Sequence, residues 1–193
     1  MADVFEVLGA DHAQVKDMLV ALEGSQDHAQ AGETGKTIQS ARQEVAKLLI
    51  IDSSRHEAAE EQHFWPIVRE RLEDGNQLAD AAIAQESEAK NVLARLDKLT
   101  SDDEEFTALV AEFIPSARAH IAFEETQVWP SLRAALSAAE AEELGAKIRR
   151  AEDKGPTRPH PHTPANPAVL KTAGPVVAAL DKLRDAMTGR GRS

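Results

Sequence analysis

The chain has 193 residues, 42% of them hydrophobic, enough for one good core and at most a small appendage. Cysteine and tyrosine are absent, which excludes disulfides, zinc ribbons, thiolate-held iron–sulfur clusters and any tyrosine ligand. The formal charge of −11 argues against a nucleic-acid or anionic-membrane partner. Aromatic residues make up only 4% while alanine is abundant, which favours helices over strands. No basic-then-apolar leader opens the chain and no apolar run approaches about 18 residues, so a cytoplasmic location is expected.

Asp3-x-x-Glu6 reads as a capping box opening a first helix, and Gly24 as its stop. Val4, Leu8, Val15, Leu19 and Leu22 form an apolar stripe on it, with His12 inside the stripe. A polar loop carrying His28, expected to be exposed and inert, leads to a second helix over about 37–73. There Ile38, Ala41, Val45, Leu49, Asp52, His56, Glu60 and Ile67 share a face that turns polar midway. Pro66 is expected to bend this helix, and Asp74-Gly75-Asn76 to end it. The third helix, over about 77–99, buries Leu78, Ala82, Ala89, Leu93 and Leu96, with Glu86 in their midst.

An acidic capping turn from Thr100 to Glu105 starts a fourth helix. Its stripe is Phe106, Leu109, Phe113, Ala117, His120, Glu124 and Val128, and Pro115 predicts a kink within it. Ser137-x-x-Glu140 is a second capping box, opening a short fifth helix that ends near Glu152. Five prolines fall between Gly155 and Pro167, which marks a linker or extended segment. A last helix over about 168–187 follows, with Gly174-Pro175 expected to break or kink it. The division expected is a bundle over 1–153 and a tail over 154–193 that lies along the bundle or packs on another copy. Four long helices with short connections make an up-down-up-down bundle the fold expected.

One pattern is written twice. His-x3-Glu-Glu-x3-Trp-Pro-x2-Arg begins at His56 and again at His120, an offset of 64 residues. On a helix, His and Glu four apart lie on one face about 6 Å apart along the axis. Each of the four helices thus brings an ionisable group to mid-bundle: His12, then His56 with Glu60, then Glu86, then His120 with Glu124. Unpaired in a dry core, each costs several kcal/mol by order of magnitude; metal ions neutralise the carboxylates and satisfy their lone pairs. Nitrogen and oxygen donors without sulfur suit iron, with manganese second, and zinc usually takes fewer ligands. Two carboxylates able to bridge, Glu60 and Glu124, make a dinuclear centre the natural reading. Glu57 adjoins this face as a candidate further ligand, and Glu61 and Glu125 as supporting partners of the ligands or surface pairs with arginines.

Other candidates read as structural. His63 lies two turns from His56 and its repeat partner is Gln127, Trp65 and Trp129 read as packing residues, and His160-Pro161-His162 sits in a proline-rich tail. A metal-free helical interaction protein remains the reading only if the inward polar residues prove exposed.

From about Asp3 to Ala151 the chain resembles hemerythrin-like proteins of the HHE cation-binding class, through Asp11-His12, His56-x3-Glu60 and His120-x3-Glu124. The resemblance implies a non-haem di-iron centre held by His12, His56, Glu60, His120 and Glu124. Oxygen-carrying members use an acidic residue five positions after the last histidine, so Glu125 stands open beside Glu124. Those members also supply two histidines from the third helix, where this chain has Glu86 and Lys90. Glu86 then replaces a nitrogen ligand with oxygen, and Glu57 adds another as in carboxylate-rich relatives. Harder ligands favour the ferric state. The resemblance therefore implies reaction with hydrogen peroxide or nitric oxide, in oxidative or nitrosative stress defence, ahead of dioxygen carriage. A catalase- or peroxidase-like or nitric oxide-processing oxidoreductase is the enzyme reading. Its rival is an oxygen or iron sensing or storage module without turnover. A monomer or weak homodimer is expected.

Overall fold

The computed structural model describes residues 2–24, 32–161 and 167–188, with side chains over 2–24, 36–161 and 174–186. His28 and His162 lie outside these. Among the described residues every regular element is helical: α1 (Val4–Gly24), α2 (Gly32–Ala59), α3 (Trp65–Arg71), α4 (Gly75–Leu96), α5 (Glu104–Phe123), α6 (Trp129–Ala135), α7 (Ala138–Glu152) and α8 (Pro167–Thr188). None is long and apolar enough to cross a membrane. The four rods of the bundle are α1, α2 with α3, α4, and α5 with α6; α7 packs on α1 and α2. Both expected capping boxes form: Asp3 N–H donates to Glu6 and Glu6 N–H to Asp3 Oδ1, at 2.9 and 2.8 Å. Ser137 and Glu140 repeat that exchange at the start of α7.

The second and fourth rods are interrupted at the same place in the repeat. A π-helical turn over Glu60–Phe64 separates α2 from α3, and one over Glu124–Val128 separates α5 from α6. In each, the tryptophan N–H reaches back five residues, from Trp65 to the Glu60 carbonyl and from Trp129 to the Glu124 carbonyl. Pro66 and Pro130 follow at once, in the first turn of the next helix. Proline has no N–H to give and its ring crowds the carbonyl four residues back, and a turn widened by one residue accommodates both. The bend expected at Pro66 is thus a π turn just before it. The extra residue also advances the register: Val68 is fully buried and Ile67, expected inside, is half-buried.

Elsewhere the expected stripes hold with local rotations. In α2, Arg42 and Ala46 are buried where Ala41 and Val45 were expected, and Ala41 is exposed. Arg42 lies over the Phe106 ring, 5.4 Å from its centroid, which gives a buried cation a partner. In α4, Leu78 and Ala89 are half-buried while Ala79 is fully buried. Pro115 and the Gly174-Pro175 pair lie inside α5 and α8, which run through them without a break.

The apolar core is in two layers. One is built from Val4 to Leu8, Phe64, Trp65, Val68, Trp129 and Leu132 with the inner face of α7. The other takes Val15 to Leu22, Leu49, Leu93, Leu96 and the first half of α5. Between them, at His12 of α1, lies a polar layer. Close approaches hold the ends together: a Cβ on Gly145 would stand 2.8 Å from the Asp3 carbonyl carbon, and one on Gly75 would stand 2.1 Å from the Val68 oxygen. Only glycine allows α7 to press on the start of α1 and α4 to start against α3.

Among the described residues of the tail, α8 packs on the π turn of Glu60–Phe64. Asp181 accepts from Thr157 N–H at 3.2 Å and pairs with His160 Nε2 at 2.8 Å. Asp185 accepts from Thr157 Oγ1 at 2.5 Å and from Arg158 at 3.1 Å, while Arg158 also reaches Asp97 at 2.9 Å. His160 is thus a clasp residue in a set of ion pairs.

Candidate metal centre

The polar layer gathers side chains from all four rods. Glu60 and Glu124, each the first residue of a π turn, are fully buried, with Glu86, His12 and His56 hardly less so and His120 half-buried. Glu124 stands between two imidazoles: its Oε2 is 3.0 Å from His12 Nε2 and its Oε1 is 3.1 Å from His120 Nε2. Glu60 Oε2 is 3.3 Å from His56 Nε2. Two sets of four potential donors result, His12, His56, Glu60 and Glu124, and Glu60, Glu86, His120 and Glu124, each with its donor atoms within 4.8 Å of one another. They share Glu60 and Glu124. A third set, Asp11, His56 and Glu152, meets the same spacing beside the first.

The donor atoms face inward without hydrogen bonds. The Nε2 atoms of all three histidines, both oxygens of Glu60 and of Glu124, and Glu86 Oε2 are buried and make no aligned hydrogen bond despite their short contacts. Such orphaned atoms are costly in a protein interior. Coordination to metal ions would satisfy all of them, so the residues present fit a bound metal pair.

The outward nitrogens of His12 and His120 are held. His12 Nδ1 lies 3.0 Å from Glu125 Oε1, and Lys16 Nζ donates to both Glu125 oxygens at 2.7 and 3.0 Å. His120 Nδ1 lies 3.0 Å from Gln85 Oε1, whereas His56 Nδ1 stands 3.6 Å from Asp11 Oδ2, beyond hydrogen-bond reach. Carboxylate or amide partners on the far ring nitrogen fix an imidazole's tautomer and aim the other nitrogen. Glu86 accepts from Trp65 Nε1 at 2.7 Å, so this tryptophan orients a donor as well as packing. Its repeat partner differs: Trp129 stacks on His12 with centroids 5.0 Å apart, and its Nε1 has no hydrogen-bond partner among the described residues.

Lys90 and Glu86 both point into the centre's flank. The Lys90 ammonium donates to Glu61 Oε1 and lies 3.9 Å from Glu57 and 4.0 Å from Glu86. Glu57 and Glu61 are therefore buried partners of one lysine, and Glu125 pairs with Lys16 and His12; of the two readings left open for Glu61 and Glu125, surface pairs with arginines are not formed among the described residues. His63 is half-buried within the Glu60–Phe64 turn and joins none of the donor sets. Asp11, Lys16 and Glu152 had no assigned part in the sequence reading. Asp11 adjoins His12 in a quoted motif, but nothing local ties α7's Glu152 to it.

Electrostatics follow from this crowding. Burial pushes Glu57 up to about 7, and burial with the neighbouring carboxylates raises Glu60 and Glu86 well above the usual range. Burial and the adjacent Asp11 carry Glu152 up to about 8. Burial opposes ionisation of Glu124, but the contacts of His12 and His120 win and hold it down to about 2. For His120, burial works against the charged ring and Glu124 with Glu86 outweighs it, lifting it to about 9. Burial lowers His56.

The sign of the pH effect on metal-free protein follows. Glu57, Glu60, Glu86 and Glu152 keep protons in the fold that the unfolded chain releases near 4.3, by order of magnitude. Their contribution is fully present below that value and is lost as pH rises through about 7 and about 8. His120 acts in the same direction as pH rises through about 9, and His56 opposes them below its unfolded value. Scanning calorimetry on chelated protein is expected to give a lower Tm near about pH 8.5 than near about pH 6. A Tm that climbs across that interval contradicts the buried carboxylate cluster.

A helical bundle with two donor sets sharing two carboxylates defines a cation-binding bundle protein. The hemerythrin HHE cation binding domain family matches residues 3–132, and the chain belongs to that family. It is 29% identical over 135 residues to an uncharacterized hemerythrin-like protein of Schizosaccharomyces pombe, a match spanning 69% of this chain and 66% of that relative. Its fold is similar to the crystal structure of a hemerythrin HHE cation binding domain-containing protein from Mycobacterium kansasii. That likeness has a TM-score of 0.64 at 18% identity, over 94% of this chain and 99% of the other.

Proposed function

We propose that His12, His56, Glu60, Glu86, His120 and Glu124 hold two iron ions, and that the centre binds and reduces small oxidants, hydrogen peroxide or nitric oxide ahead of dioxygen. The observation that carries this reading is the pair of four-donor sets sharing Glu60 and Glu124. The sets are unequal: one offers two imidazoles and two carboxylates, the other one imidazole and three carboxylates. Oxygen-rich sets suit harder, more highly charged ions, which supports reaction with oxidants over reversible oxygen carriage. Bound iron would supply one-electron steps and an open coordination position.

The chain's own residues do the rest. Glu125 with Lys16 aims the His12 ring, Gln85 aims that of His120, and Trp65 aims Glu86. Lys90 offsets the carboxylates that do not face the ions, Glu57 and Glu61. Phe64, Trp65, Val128 and Trp129 exclude water from one side of the layer. The bundle over 1–153 carries all of these residues, and α8 packs on its flank.

Elemental analysis with an absorption spectrum, on protein purified without added metal, tests the reading. Expected are about two irons per chain with ferric bands between roughly 300 and 500 nm, and consumption of peroxide or of nitric oxide. Zinc alone, or no uptake after anaerobic ferrous reconstitution, overturns it. Full iron loading without turnover of either oxidant moves the protein to sensing or storage.

A further inference from the structure

The three imidazoles form one end of a cavity of about 450 Å³ that continues between the rods toward the second apolar layer. A water molecule takes up roughly 30 Å³, and hydrogen peroxide, nitric oxide and dioxygen are of that order. The space is more than ten times what such an oxidant needs, and it falls within the roughly 300–1,000 Å³ usual for sites that take small organic molecules. Val15, Val92, Phe113 and Ile121 give it an apolar wall, and the small side chains of Ala89 and Ala117 leave the room. The exposed carboxylates Glu88 and Glu112 stand on its border and disfavour an organic anion.

We infer that this cavity is a binding site for the body of an uncharged organic hydroperoxide, its peroxide head at the imidazole end and its hydrocarbon part against Val92, Phe113 and Ile121. The inference rests on the di-iron reading above and names its substrate class. The reaction balances as ROOH + 2 H⁺ + 2 e⁻ → ROH + H₂O: the O–O bond breaks and solvent supplies the protons. A bound ferrous pair would supply the two electrons, and an ascorbate-class reductant would restore them. Transfer of an alkyl or aryl group from water to an apolar wall favours such a substrate.

The probes are cumene hydroperoxide and its unreactive product alcohol, 2-phenyl-2-propanol. Calorimetric titration of the alcohol into the full chain, metal-loaded and metal-free, is expected to show saturable binding at one site. Ala89→Phe fills the cavity and is expected to weaken that binding by about tenfold or more, with metal content at the wild-type level. Ala117→Leu serves as the second variant if Ala89→Phe does not fold. Ferrous-loaded wild type is expected to convert cumene hydroperoxide to the alcohol, one per two irons oxidised, and Ala89→Phe to do so at least about tenfold more slowly. Absence of saturable alcohol binding, or binding that both folded variants leave unchanged, overturns the inference. Binding of the alcohol by a chain that takes up no iron keeps the cavity site and removes the di-iron reading alone.

Discussion

Glu124→Ala is expected to purify with fewer than about one metal ion per chain and to remain helical, because Glu124 belongs to both donor sets. Its two oxygens stand against His12 and His120, so the substitution removes one acceptor from each half of the centre at once. Loss of a residue that only supports a ligand typically costs about 10–100-fold in metal affinity, and loss of a shared ligand is expected to exceed that. Glu125→Ala supplies the comparison. Glu125 touches only the outward nitrogen of His12 and the Lys16 ammonium, so this variant should weaken binding by about 10–100-fold and still fill at high iron. Elemental analysis and far-ultraviolet circular dichroism on the two variants read the difference. Full metal content in Glu124→Ala, or an equal loss in both, would show that the two adjacent glutamates have been given the wrong roles.

The second large effect is on stability. Lys90 is the cation that Glu57, Glu61 and Glu86 share, in a pocket from which water is nearly excluded. Removing one partner of a buried ion pair costs about 3–5 kcal/mol because the charge left behind has no compensation. At roughly 2–4 °C per kcal/mol for a chain of this size, Lys90→Met is expected to lower the Tm of metal-free protein by about 6–20 °C. Lys90→Met with Glu61→Leu removes both members of the closest pair and should recover a large part of the loss, a coupling that a double-mutant cycle measures. A single Lys90→Met variant melting within about 2 °C of wild type would mean that the lysine is solvated and that the cluster is held by something else.

Much of this centre was legible in the residues. The repeat at an offset of 64 residues puts His56, Glu60, His120 and Glu124 in equivalent places on two rods, and helical periodicity adds His12 and Glu86. These six come together in the structure because each sits on a stripe that must face the bundle axis. The unreadable parts depend on contacts between distant segments. Trp65 and Glu86 are 21 residues apart, and Asp11 meets a glutamate of α7 that no local pattern marks. Lys90 stands where oxygen-carrying relatives supply histidine, and its charge answers Glu57 and Glu61 of the second rod. The π turns were half legible. Trp-Pro after each Glu-Glu signalled a break in the ladder, but periodicity alone could not say whether the rod would bend or take in an extra residue, and Ile67 was placed inside in place of Val68.

The division of the apolar core by a polar layer also bears on cooperativity. Each half-core has its own packed side chains, and what joins them at mid-height is a set of groups that repel or go unsatisfied when empty. With the proposed cations bound, the same layer would join the two blocks like a rivet, and the metal-free chain is expected to melt less cooperatively than the loaded one, which calorimetry reads.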